Sequence, residues 1–61
     1  MTIKAILKTI NSSKAFNKLF VNCGECIEST LEIWVEKNND KLGIYSQEEA
    51  TELIKKIIKN L

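Results

Sequence analysis

The middle of the chain carries apolar and polar positions with the period of an α-helix. When residues 13–37 are placed at about 100° per residue, their large apolar side chains collect on one face. That face consists of Phe16, Leu19, Phe20, Cys23, Ile27, Leu31 and Trp34. Because the face stays in phase throughout, the pattern predicts one continuous helix, or two collinear helices, of roughly 37 Å.

A β-strand is the alternative for part of this segment. Within residues 30–36, Leu31, Ile33 and Val35 alternate with polar neighbours, as they would in a half-buried strand. Trp34 interrupts the alternation, and a strand would not explain the helical spacing of the surrounding acids. We therefore expect a helix here, with a hairpin through this region as the other possibility.

Gly24 is the weak point of the predicted helix, because glycine inside a helix costs ~1 kcal/mol relative to alanine. Asn22 is placed to cap a restarted helix, and Glu25 follows it at the spacing of a capping box. A break at residues 22–24 is thus the alternative to the continuous helix that we expect.

A short helix is predicted before this segment. Residues 2–10 place their isoleucines and leucine on one side of a helix and their lysines on the other. The period cannot continue beyond this point. Either Ser12 or Ser13 is suited to cap the helix that follows, since a serine hydroxyl accepts a free backbone N–H.

A third helix is predicted at the C-terminal end, after a connecting loop at residues 41–45. Ser46 and Glu49 have capping-box spacing directly before an apolar-periodic run, so the helix should cover residues 47–60. Its apolar stripe is Ala50, Leu53, Ile54, Ile57 and Leu61. The predicted fold is all-α: a small three-helix bundle with a short N-terminal, a long central and a C-terminal helix, in one domain over residues 1–61.

Chain length argues for self-association. The 61 residues bury only about 60% of the surface of the unfolded chain, so the core is marginal. Val21 and Ile33 lie at or beyond the flank of the central apolar face. We expect a second copy of the chain to cover the excess apolar surface, as in a homodimer.

Charge is balanced overall but uneven along the chain. The formal net charge is +1, so no overall field favours nucleic acid or an anionic membrane. An acidic stripe at helical spacing follows a lysine-rich start. The stripe consists of Glu25, Glu28, Glu32 and Glu36. Such a stripe is usually a solvated face that nearby lysines stabilise, here those of the first helix; the alternative is a surface for a basic partner.

The two cysteines, Cys23 and Cys26, form a single C-x-x-C motif. A redox dithiol needs a thiol with a lowered pKa. A zinc site with four cysteine ligands needs two chains, because the sequence has no histidine and no further cysteine. We expect both residues to be small apolar packing residues with no cofactor, and a thiol or dimeric zinc-binding module is the alternative.

Residues 38–49 resemble the calcium-binding loop of EF-hand proteins. Asp40, Gly43 and Glu49 occupy the third, sixth and twelfth positions of such a loop. Asn38 stands where the loop usually opens with aspartate, and Leu42 replaces an oxygen ligand. The resemblance implies a weak calcium site at most, and we favour a plain helix–loop–helix connection.

No apolar run approaches the ~20 residues of a membrane span, and Lys4 and Lys8 break the apolar character that a signal peptide would need. Cysteines without a secretory signal are typical of a reducing compartment, so we expect a cytoplasmic protein. A helix lying on a membrane surface through the lysines of the last helix is a further alternative, which Glu48 and Glu49 disfavour.

These observations predict a binding protein, not an enzyme. The sequence has no glycine-rich phosphate loop, catalytic triad or histidine base, and it has no arginine to read nucleic acid. We expect a small regulator or inhibitor of a partner protein, of the kind that phages and mobile elements often encode. The acidic stripe would attract the partner, and the apolar flank around Trp34 would make the contact; the alternative for Trp34 is a place in the core of so small a domain.

Overall fold

The computed structural model describes residues 2–61, and every element of regular structure in that range is an α-helix. The helices are α1 (Ile3–Ser12), α2 (Lys14–Asn22), α3 (Ile27–Lys37), α4 (Asn39–Leu42) and α5 (Gln47–Lys59). The all-α small bundle is therefore confirmed. The strand considered for residues 30–36 is wrong, because these residues lie inside α3.

The long continuous central helix is also wrong, because the chain breaks between α2 and α3. Gly24 and Glu25 both adopt the left-handed conformation, with φ of 69° and 60°. The amide of Glu25 donates to the carbonyl of Phe20 at 2.9 Å, and the amide of Gly24 donates to that of Val21 at 3.1 Å. This pair of bonds is a Schellman motif, which satisfies the last carbonyls of a helix as it ends.

The break folds the amphipathic segment back on itself. A straight helix over residues 13–37 would span roughly 37 Å, whereas the longest principal extent of the molecule is 26 Å. Helix α2 instead packs against α3. The two halves of the predicted apolar face therefore cover each other within one chain. A second copy of the chain is not needed to cover that face. Val21 and Ile33 stay outside this contact, 61% and 36% exposed.

Serine and threonine caps define the starts of α1, α2 and α5. The hydroxyls of Thr2, Ser13 and Ser46 each accept the backbone N–H three residues later, at 3.2, 3.0 and 3.2 Å. The caps predicted at Ser13 and Ser46 are confirmed. Asn22 does not cap a restarted helix, because it is the last residue of α2 and Cys26 occupies the N-cap position of α3.

The core is centred on α3, which packs against α2 on one side and α5 on the other, while α1 packs on α5. Its buried apolar residues are Ile6, Ile10, Phe16, Leu31, Val35, Ile54 and Ile57. The predicted apolar faces omitted Val35 and the fully buried Thr30. Thr30 tolerates burial because its hydroxyl donates to the carbonyl of Cys26 at 2.7 Å. Leu61, predicted on the α5 stripe, lies beyond the helix and is 59% exposed.

The connection between α3 and α5 is more ordered than the predicted loop. Helix α4 occupies Asn39–Leu42, and Gly43 (φ 68°) ends it. The hydroxyl of Ser46 also contacts the carboxylate of Glu49 at 3.2 Å. A helical turn and a helix cap thus stand where the EF-hand resemblance would need a calcium loop, in agreement with the helix–loop–helix interpretation.

Candidate functional site

The side chain of Trp34 is half-buried at the contact between α3 and α2. Its ring meets that of Phe16 edge-on, with centroids 6.0 Å apart and planes at 81°. The side-chain amide of Asn38 donates to the carbonyl of Trp34 at 2.8 Å and so closes the end of α3. Trp34 is therefore held in place by packing and by the geometry of the helix that carries it.

A groove of about 570 Å³ opens beside this tryptophan. We call it the Trp34 groove. Its apolar lining comes from Ala15 and Leu19 of α2, Trp34 of α3 and Leu42 of α4. The polar part of the lining is Thr9, Ser13, Lys18, Asn22, Lys37, Asn38 and Lys41. A groove of this size that combines apolar surface with polar groups is typical of binding sites.

The charged side chains of the Trp34 groove are all basic. Lys18, Lys37 and Lys41 come from three different helices, and none of the described residues that line the groove is acidic. The sequence analysis missed this cluster. Lys37 and Lys41 follow an acid-rich segment in the sequence, and only the reversal at Gly24 and Glu25 lets Lys18 share a groove with them.

The predicted acidic stripe is divided by the fold. Glu28, Glu32 and Glu36 are exposed along one edge of α3, which we call the acidic edge. Glu25 is not part of it, because this residue lies in the left-handed turn before the helix. Neither the edge nor Glu25 lines the Trp34 groove, so the structure does not bring the predicted partner-binding residues together in one site.

The acidic edge lies beside α5. A groove of about 350 Å³ between these helices is lined by Glu28 and Glu32 from one side and by Lys55 and Lys59 from the other. The lysines that share a surface with the acids are thus those of the last helix, not those of the first helix as predicted. Mixed charge makes this groove less selective for a charged partner than the Trp34 groove.

The two cysteines flank the turn between α2 and α3. Cys23 is half-buried at the end of α2, and Cys26 is exposed at the start of α3; both are free thiols. The pKa of the Cys26 thiol is lowered mainly by a hydrogen bond from the side chain of Ser29 and, to a smaller extent, by one from the backbone of Ser29. The packing role predicted for both cysteines therefore does not describe the exposed Cys26.

Metal binding by the cysteines stays a prediction that needs two chains. Among residues 2–61, no group of three or more His, Cys, Asp or Glu side chains is arranged to hold a metal ion. Cys23 and Cys26 of one chain supply two sulfur ligands at most, and a structural zinc site has four ligands.

None of the helices in residues 2–61 combines the length and apolar character needed to cross a bilayer. Comparison of the whole chain with protein-family models, with curated proteins and with solved structures finds no match in any of the three. A proposal about function therefore rests on the Trp34 groove, the acidic edge and the two cysteines.

Proposed function

We propose that this protein is a small non-enzymatic binding module that regulates or inhibits a partner protein, and that the Trp34 groove is its main contact surface. The observation that carries the proposal is the groove itself, where a tryptophan fixed by Phe16 lies in an apolar concavity with a polar rim. Buried aromatic anchors contribute most of the binding free energy in many protein interfaces.

Rigidity of the groove supports this role. Its lining residues belong to the helices α1, α2, α3 and α4 or to their caps. The Trp34 ring is already ordered by its contact with Phe16. A partner would therefore lose little affinity to the ordering of this surface on binding.

The acidic edge has a lesser part in the proposal. Exposed carboxylates at Glu28, Glu32 and Glu36 would attract a basic region of a partner and speed its approach. Lys55 and Lys59 line the same groove as Glu28 and Glu32 and weaken that field. We therefore assign the apolar contact to the Trp34 groove and only long-range attraction to the edge.

A thiol or dimeric zinc-binding module is the second candidate, and the lowered pKa of Cys26 favours it. A thiolate is the form that binds metal or reacts with disulfides. Elemental analysis and thiol titration of protein purified without chelators test this candidate. Absence of zinc together with two slowly reacting thiols would exclude it.

A cytoplasmic setting belongs to the same proposal, since free thiols such as Cys23 and Cys26 persist in a reducing compartment. Fractionation of the cells that produce the protein tests it. Recovery in the membrane pellet would contradict it and would support the membrane-surface alternative.

Site-specific photo-crosslinking tests the binding module. Lys41 lines the Trp34 groove, whereas Lys56 is also exposed but lies on α5 and lines a different groove. Each is replaced in turn by p-benzoylphenylalanine in the cells that produce the protein, followed by irradiation. We expect discrete protein adducts from position 41 and none from position 56. No adduct at either position, or the same adducts at both, contradicts the proposal.

A further inference from the structure

The Trp34 groove differs from the grooves lined by α5 in the sign of its charge. Lys18, Lys37 and Lys41 line it without any acid among the described lining residues. The groove between α3 and α5 contains both signs, and the one beside Tyr45 contains Glu32 and Glu36. A concave surface with charges of one sign and low-dielectric walls concentrates its field and attracts counter-charges.

The basic surface continues across α2. A shallower groove on that helix shares Ser13, Lys18 and Asn22 with the Trp34 groove and adds Lys14 and Val21. Its described lining residues are also free of acids. Two connected grooves suit an extended occupant better than a small molecule, and Val21, which is 61% exposed, offers a further apolar contact.

We propose that this surface binds an acidic amphipathic segment of the partner protein. Apolar side chains of the segment would pack on Trp34, Leu19 and Leu42, and its carboxylates would face the lysines on the rim. An amphipathic helix placed in a groove is a recurring mode of peptide recognition. This inference rests on the proposed function. It makes the segment of the partner that contacts Trp34 acidic, whereas the acidic stripe suggested a basic partner.

The lining favours polypeptide over nucleic acid as the anionic occupant. Ala15, Leu19 and Leu42 offer aliphatic surface, which suits leucine-like side chains. Single-stranded nucleic acid is usually held by arginines and by stacked aromatic rings. The sequence has no arginine, and Trp34 is the single aromatic side chain among the described lining residues.

A pair of synthetic peptides tests the inference. One is an amphipathic helix of about 18 residues, roughly 27 Å long, with leucines on one face and glutamates on the other; its twin has lysine at every glutamate. Neither contains tryptophan, so the fluorescence of Trp34, the only tryptophan of the protein, reports binding. We expect the acidic peptide to bind about tenfold more tightly than the basic twin at low salt. The difference should shrink as salt rises, because the rim lysines are exposed.

Charge-altered variants locate the selectivity. Lys37→Glu/Lys41→Glu places two acids beside Lys18 and should invert the preference, and Lys37→Gln/Lys41→Gln, which keeps Lys18, should reduce it. The second variant keeps the test decisive if the first does not fold. Lys55→Glu/Lys56→Glu changes the net charge equally but lies on α5, outside this groove, and should leave the preference unchanged. Far-UV circular dichroism checks that each variant is helical.

Several outcomes would overturn the inference. These are equal or tighter binding of the basic twin, no binding of either peptide at about 1 mM, and tighter binding of a single-stranded oligonucleotide. Fluorescence that changes with protein concentration alone, and no longer does so in Lys37→Gln/Lys41→Gln, would identify a second copy as the occupant. If photo-crosslinks at position 41 persist in any of these cases, protein binding stands and only the acidic segment is wrong.

Discussion

The Trp34 ring packs edge-on against Phe16 at a centroid distance of 6.0 Å, and this contact ties α3 to α2 beside the groove. Phe16 is almost completely buried at 6% exposure, while Trp34 remains half-buried. Such aromatic pairs contribute ~0.5–1.5 kcal/mol beyond the burial of their area. The pair therefore belongs both to the core and to the proposed contact surface.

Phe16→Leu should lower the free energy of unfolding by about 1–2 kcal/mol, because it removes the aromatic contact and leaves some space unfilled. Urea unfolding followed by circular dichroism measures the loss, and Trp34 fluorescence in the folded state should change as well. Phe20→Leu is the matched control, since Phe20 is only half-buried on the same helix. Equal losses for both variants would argue against a special role for the ring pair.

The turn at Gly24 and Glu25 predicts opposite effects of two substitutions. Gly24→Ala should destabilise the fold by ~1 kcal/mol, because φ is 69° and a β-carbon is strained there although no atom lies within 4 Å of it. Glu25→Gly should stabilise by up to ~1 kcal/mol, since it relieves the same strain at φ 60°. Glu32→Gly in the middle of α3 is the control and should destabilise by ~1 kcal/mol. Destabilisation by Glu25→Gly in urea unfolding would contradict the left-handed turn.

Cys26 should react with iodoacetamide faster than Cys23. Its thiol is exposed, and the Ser29 hydrogen bonds lower its pKa, so the reactive thiolate forms at lower pH than in an ordinary cysteine. Peptide mass spectrometry of partly alkylated protein gives both rates as a function of pH. Ser29→Ala should move the profile of Cys26 towards higher pH and leave that of Cys23 in place. An unchanged Cys26 profile in this variant would show that Ser29 is not the cause.

The buried hydroxyl of Thr30 should contribute more to the free energy of unfolding than an exposed threonine hydroxyl that also donates to the carbonyl four residues earlier. Thr30→Val removes the 2.7 Å bond to the carbonyl of Cys26 and should cost about 1 kcal/mol of unfolding free energy. Thr51 makes the same type of bond, 2.9 Å to the carbonyl of Gln47, at an exposed position. Thr51→Val should therefore change stability by less than about 0.5 kcal/mol. The reverse order in urea unfolding would contradict the assigned burial.

Self-association remains a prediction, and Val21 and Ile33 are the exposed residues on which it now rests. Light scattering over a range of concentrations should give a mass above the 7.0 kDa of one chain, and Val21→Lys/Ile33→Lys should lower it. A mass of one chain at every concentration would show that the intramolecular packing of α2 on α3 is sufficient.

The starts of α2 and α5 could be predicted because local chemistry specifies them. Ser46 caps α5 through bonds that span three residues, and the same is true of Ser13 and α2. The break before α3 could not be predicted, because the apolar face stays in phase across it and a single glycine is a weak signal. Glu25 in a left-handed conformation has no sequence signature, and the fold supplies the energy that holds it there.

The proposed binding surface is only partly predictable from the sequence. The size and position of Trp34 indicate it as a contact residue, but they do not indicate its charged neighbours. In the sequence it lies among glutamates, whereas in the structure the lysines of α2 and α4 share its groove. The charge around a side chain depends on which helices meet there. Here the turn at Gly24 and Glu25 determines which helices meet, and the helical periodicity of the sequence does not reveal that turn.

The turn at Gly24 and Glu25 is also the point at which a straightened chain would give a domain-swapped dimer. Because the apolar face runs in phase through α2 and α3, a chain that straightened here would present the same face along one rod, and two rods could exchange their α3 helices. The contacts between α2 and α3 would then form between chains, not within one. The balance between the two forms would depend on the backbone strain at Glu25 and on protein concentration.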